Sequence, residues 1–174
     1  GMDRILKEHF DRFMNKNQLP PELCNNEHCQ EMKLFNNQEL LKQWRNNLKG
    51  IQTEFEGNLI SGAVDNLLVK NKKIIVLDYK TRGYALKEDT SDSYQLQLDI
   101  YNLLLRKNGY ETEDYGFLLF YIPKEVTESG EIIFTHELVK RKIDVNNAEL
   151  TIKKALELLE QECPKKCCVW CDKV

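Results

Sequence analysis

Leu59-Ile-Ser-Gly-Ala-Val-Asp-Asn-Leu-Leu-Val69, the turn Lys70-Asn-Lys-Lys73 and Ile74-Ile-Val-Leu-Asp-Tyr-Lys-Thr81 form the stretch that decides the fold. Both long runs are rich in β-branched and apolar residues and are separated by a turn signal, so they read as antiparallel strands. Gln52–Glu56, followed by the turn Glu56-Gly-Asn58, adds a third strand-like run in front of them, and the three together read as a meander. Within Val76-Leu-Asp-Tyr-Lys80 the strand period puts Val76, Asp78 and Lys80 on one face and Leu77 and Tyr79 on the other. An acid and a lysine at the end of a buried strand are an ordinary local ion pair when taken alone. Thirteen residues upstream, however, Asp65 interrupts the other apolar run, and antiparallel pairing across the turn would bring it to Asp78. Two carboxylates held together repel unless one is protonated or a cation lies between them. A hard divalent ion held by one or two carboxylates plus substrate phosphate resolves that conflict, and it points to metal-assisted hydrolysis.

Outward from this centre the chain alternates between helical and strand patterns. Asp3–Asn15 places Ile5, Leu6, Phe10, Phe13 and Met14 at helical spacing and ends before Pro20-Pro21, and a second helix is expected over Asn37–Leu48. Residues 82–90 read as a polar loop. A strong helix follows over Ser91–Lys107, with Tyr94, Leu98, Tyr101 and Leu105 on one face and Gly109 as its stop. Gln97 and Tyr101 lie one turn apart on that helix. Tyr115–Ile122 and Glu131–Val139 are two further strands, joined by the hairpin Glu125–Gly130, and a last amphipathic helix is expected over Asn146–Gln161. The order ααβββαββα implies an α/β class with a mixed central sheet and helices packed on its faces.

Composition sets the outer bounds. The 174 residues suit a single domain, expected over 1–174, with an N-terminal helical segment 1–50 and a Cys-rich tail 162–174. No apolar run approaches the roughly 20 residues of a membrane-spanning helix. Gly1 before Met2 reads as a tag remnant, and the charged start does not look like a secretory signal. A net charge of −3 does not advertise a nucleic-acid binder, although it leaves a local basic groove open. The six cysteines cluster at Cys24 and Cys29 and at Cys163, Cys167, Cys168 and Cys171. That distribution differs from a disulfide framework, and the expectation is a reducing cytoplasm with thiols available to a soft metal. The intervals in the tail suit metal ligation.

Gly62-Ala-Val-Asp65, Asp78-Tyr-Lys80 and Gln97-xxx-Tyr101, in that order, resemble the RecB-like nuclease branch of the PD-(D/E)XK superfamily, which includes CRISPR-associated RecB-like exonucleases. The resemblance implies a restriction-endonuclease-like core. It implies that Asp65 and Asp78, with the carbonyl of Tyr79, bind Mg²⁺ or Mn²⁺, and that Lys80 assists the attacking water. Gln97 and Tyr101 would line the site and contact DNA or position Lys80. A further ligand from the helix before the strands is common in the family; here His9, Glu39 and Glu56 are the candidates. Several relatives carry a 4Fe-4S cluster, which would draw on Cys24 or Cys29 with Cys163, Cys167 or Cys168, and Cys171. Zn²⁺, with His28 as a possible ligand, and an empty tail remain alternatives. The implied activity is a metal-dependent DNA nuclease acting on ends or single strands, with DNA and a helicase or CRISPR/recombination protein as the expected partners and no membrane. The alternatives are a catalytically inactive nuclease-fold DNA-binding or assembly module and a redox or zinc-dependent binding protein.

Overall fold

The computed structural model describes residues 1–87 and 89–162. Cys163, Cys167, Cys168 and Cys171 lie outside the described residues, and so does the tail 163–174 as a whole. The elements in order are α1 (Met2–Asn15), α2 (Pro21–Cys24), β1 (Lys33–Leu34), α3 (Gln38–Trp44), β2 (Ile51–Phe55), β3 (Asn58–Gly62), β4 (Asn66–Lys70), β5 (Lys73–Thr81), α4 (Gln95–Lys107), β6 (Tyr115–Val126), β7 (Ile132–Lys142) and α5 (Val145–Leu159). A five-stranded sheet has the order β1-β4-β5-β6-β7, and β2 and β3 make a separate two-stranded sheet.

The central pair β5 and β6 is parallel, connected through α4, and every other neighbouring pair is antiparallel. Residues Ile74 to Tyr79 are buried without interruption. A continuously apolar strand of this kind needs cover on both faces, and helices supply it. On one face Phe10 of α1 packs on Tyr79, with ring centroids 4.7 Å apart. On the other, Gln97 of α4 reaches Asp78 and Lys80. The alternation expected for Val76-Leu-Asp-Tyr-Lys80 therefore holds. In α1 the buried side chains Leu6, Phe10 and Met14 recur every fourth residue, the stripe of a helix with one apolar face. α4 is buried further round because it lies between the sheet and α5, where Leu103 meets Ala148 and Ile152.

Several sequence expectations are corrected. The run Leu59–Val69 is two strands in two sheets, β3 and β4, separated by Ala63-Val-Asp65, so the three-stranded meander does not form. Gly62 marks the break: a Cβ there would lie 2.9 Å from Tyr101 Cε1 and 2.9 Å from Leu104 Cδ1, so α4 packs onto bare backbone. The second helix stops at Trp44 instead of Leu48, because Asn46 turns back to cap the Leu48 and Lys49 amides. The segment Thr90–Tyr94 is 3₁₀ in form and precedes α4. β1, two residues long, pairs with β4 at the sheet edge and was too short to show a period.

Candidate active site

The break between β3 and β4 sets the site. Asp65 lies just before β4, and the register Asn66↔Leu77 places it beside Asp78 at the end of the antiparallel ladder. The corner is pinned twice to the end of α3. The Val64 amide donates to the Trp44 carbonyl at 3.1 Å, and Arg45 Nε donates to the Asp65 carbonyl at 2.7 Å. Arg45 is itself held by Asp11 of α1, with Nη1 2.7 Å and 3.0 Å from the two carboxylate oxygens.

With its backbone fixed, the Asp65 carboxylate has two partners. Oδ2 accepts the Tyr79 amide at 2.9 Å, and Oδ1 lies 3.1 Å from Lys7 Nζ. In an extended strand the N–H and C=O of one residue point to the same edge, so the Tyr79 carbonyl also faces the Asp65 side. Lys7 additionally reaches Asp3 at 2.8 Å. Burial pulls the Lys7 ammonium down, but its bonds to Asp3 and Asp65 outweigh this and leave it above the usual lysine range.

Asp78 is the most confined carboxylate of the site, 1 % exposed. Oδ1 accepts from Gln97 Nε2 at 3.2 Å, and the Lys80 ammonium is in ion-pair contact with Oδ2. Buried Oδ2 nevertheless has no hydrogen bond of good geometry. Burial and the neighbouring Asp65 charge push the Asp78 carboxyl up to about 6, against the opposing pull of Lys80. Lys80 only partly offsets burial and the Asp65 charge, and a bound cation would relieve what remains.

Gln97 ties the other members together. Its Oε1 accepts from Lys80 Nζ at 2.9 Å, while Nε2 donates to Asp78 and, at 2.7 Å, to the Tyr101 hydroxyl. Burial raises the Tyr101 phenol to about 12, so it stays protonated at neutral pH. Lys80 Nζ also lies 4.7 Å from the centre of the Tyr94 ring, a cation–π contact that steadies its direction. Asp65, Asp78, Lys80, Gln97 and Tyr101 are thus brought together, and all five were legible as a set in the sequence.

The expected additional ligands are not brought there. His9 pairs with Glu22 at 3.1 Å, Glu56 with Lys153 at 3.9 Å, and Glu39 is exposed in the first turn of α3. Among the described residues no group of three His, Cys, Asp or Glu side chains is placed to hold a metal ion. α1 presents an ammonium to Asp65 where a third acid or imidazole was expected. Lys7 and Arg45 are the site residues that sequence reading missed; the spacing of Asp3, Lys7 and Asp11 carries a faint signal, a charged stripe flanking the apolar one. Cys29 is buried in the core, which raises its thiol to about 11, whereas Cys24 is exposed. No described helix is long and apolar enough to cross a membrane.

A sequence model of the PD-(D/E)XK nuclease superfamily matches residues 2–172. No curated protein matches the chain. Among solved structures, the crystal structure of SSO0001 is similar with a TM-score of 0.39 and 19% identity, over 66% of this chain and 49% of that one, so the chain spans about half the length of that protein. The mixed sheet flanked by helices agrees with the restriction-endonuclease-like core that the family match implies. The chain belongs to the PD-(D/E)XK nuclease superfamily.

Proposed function

We propose that the chain is a metal-dependent DNA nuclease of the RecB-like branch, an exonuclease hydrolysing phosphodiester bonds in repair, recombination or defence against mobile elements. One observation carries this reading: Asp65 set beside the buried carboxylate of Asp78 at the end of the β4–β5 ladder, next to a lysine held by Gln97. The donor set fits Mg²⁺ or Mn²⁺, hard ions that prefer carboxylate and carbonyl oxygen. Asp65, Asp78 and the carbonyl of Tyr79 would hold it. When bound, such an ion supplies Lewis-acid activation of water and of the phosphodiester.

The remaining work falls to the chain's own side chains. Lys80 holds a positive charge and transferable protons at Nζ beside the carboxylates, where it can orient water and offset charge growing on phosphate oxygens. Gln97 shares Nζ with Asp78, its Oε1 accepting a hydrogen bond from the ammonium at 2.9 Å. The donor-only Lys80 and the carboxylate of Asp78 give the amide a single orientation, oxygen to Lys80 and nitrogen to Asp78, and the Tyr101 hydroxyl accepts from the same nitrogen. The Arg45 contact to its carbonyl keeps Asp65 at its station. The N-terminal helices contribute to the site, which supports one domain over 1–174.

Iron–sulfur or zinc ligation by Cys163, Cys167, Cys168 and Cys171 belongs to the same reading. Of the two N-terminal thiols, exposed Cys24 suits a ligand better than buried Cys29. Cleavage of labelled single- and double-stranded DNA with Mg²⁺ or Mn²⁺ tests the proposal. Activity that survives both Asp78→Ala and Lys80→Ala overturns this mechanism, whereas a parent chain that cleaves nothing and binds DNA without regard to divalent ions leaves the inactive DNA-binding or assembly module.

A further inference from the structure

Lys7 stands in an unusual position for a helix-surface lysine. Its Nζ lies 3.1 Å from Asp65 Oδ1 and 2.8 Å from an Asp3 oxygen, and its side chain is 20% exposed. Asp65 is similarly enclosed at 18%, whereas Asp3 is 65% exposed. The ammonium therefore bridges one carboxylate of the site and one in solvent.

Charge balance shows what this does. Asp65 and Asp78 carry two negative charges, and Lys7 and Lys80 carry two positive ones. Without any added ion the cluster is already neutral. A divalent ion on Asp65 would sit roughly 2 Å from its oxygen. With Lys7 still in place, two cations would lie within about 5 Å of each other in a half-enclosed site, where screening is far weaker than in water.

Something must then move, and α1 is not free to do so. Leu6, Phe10 and Met14 anchor it in the core, and Asp11, one turn beyond Lys7, is locked to Arg45, which also holds the Asp65 carbonyl. The Lys7 stem, with four rotatable carbons, is the part that gives. Asp3 already offers the place to which it can swing.

We propose that Lys7 is a resident monovalent cation of the carboxylate pair, which a divalent ion must displace onto Asp3. This rests on the reading of Asp65 and Asp78 as cation ligands. Lys7 keeps the ion-free cluster neutral and, by the same contact, weakens its hold on the ion.

The test is Mn²⁺ titration of the full chain, followed by calorimetry or by the electron paramagnetic resonance signal of free Mn²⁺, with circular dichroism confirming the fold. Lys7→Met is expected to tighten Mn²⁺ binding about tenfold, through removal of a neighbouring positive charge. Lys7→Arg keeps the charge and should not tighten it. Asp3→Asn, which removes the landing place, should weaken binding a few-fold (roughly the effect of one half-exposed charge pair) in the parent and leave Lys7→Met unaffected. Equal or weaker binding by Lys7→Met, while Asp78→Asn abolishes binding, overturns this proposal and spares the metal site. Absence of Mn²⁺ binding in both the parent and Lys7→Met removes the metal site and this proposal with it.

Discussion

Asp78 and Glu22 are both enclosed carboxylates near the end of the parallel strand pair, on opposite faces of the sheet, and their surroundings act in opposite directions. On the α4 face, burial and Asp65 hold the Asp78 carboxyl up at about 6 despite Lys80. On the α1 face burial also pushes Glu22 up, but its backbone hydrogen bond, the Tyr121 hydroxyl at 2.8 Å and His9 together hold it below the usual carboxylate range. The donors on Glu22 outweigh its burial, whereas Lys80 and Gln97 do not outweigh the burial of Asp78 and the charge of Asp65. A carboxylate whose partners lie within the chain contributes to stability and needs nothing more. One whose partners do not offset its burial and a neighbouring like charge costs stability and becomes a receptor for an ion.

The strongest way to break this contrast is catalytic. Asp78→Asn is expected to lower cleavage of labelled DNA by about a thousandfold or more, the scale of losing a centre that stabilises transition-state charge, while Glu22→Gln leaves the rate within a few-fold. Comparable losses in the two variants would erase the distinction. Gln97→Ala should fall between them, about 10–100-fold down with KM nearly unchanged, since it frees Lys80 without removing charge.

Stability should show the opposite ranking. In chelator-treated protein at neutral pH, Glu22→Gln is expected to cost about 1–3 kcal/mol in urea unfolding, from mismatched donors at His9 and Tyr121. Asp78→Asn should cost nothing or stabilise, because it removes a buried charge that repels Asp65.

The pH profiles sharpen the same point. Asp78 titrates higher in the folded chain than in the unfolded one, so the native state binds the extra proton; stability from this group is present at low pH and is lost as pH rises from about 4 to about 6. Glu22 is depressed, so its contribution is present above its unfolded value and is lost as pH falls through its lower folded one. Unfolding midpoints in chelator across this range should flatten between pH 4 and 6 in Asp78→Asn, and lose part of the acid-side fall in Glu22→Gln. The smallest effect, about 1 kcal/mol, is expected for Tyr121→Phe, which deletes one hydrogen bond to Glu22 and leaves the packing.

The legible part of the site was the part written in short range. Asp78 and Lys80 share a strand face, Gln97 and Tyr101 share a helix face, and the Lys70–Lys73 turn aligns Asp65 with Asp78; each follows from a local period. Lys7 and Arg45 were not legible because nothing local separates them from solvated helix residues. Only docking of α1 and the end of α3 against the 63–65 corner turns them inward. The corner was hidden for a related reason: an apolar run of eleven residues reads the same whether it stays in one sheet or crosses between two, and Gly62 was its sole mark. Asp99 shows the converse. It stands inside the Gln97–Tyr101 segment, yet it is fully buried and accepts from the Asp144 amide at 2.9 Å, so its work is to fix the start of α5.

The pinning of that corner also bears on the order in which the chain can assemble. Asp65 is held by Tyr79 across the β4–β5 hairpin, by Arg45 from the end of α3 and by Lys7 from α1, and the Lys7 contact closes the longest loop of the three. Until β5 exists, the apolar stripe of α1 has no Tyr79 to lie against, and Leu6, Phe10 and Met14 are available to chaperones or to other chains. Docking of α1 therefore does two things at once: it brings Lys7 to the acid pair and conceals that sticky helix.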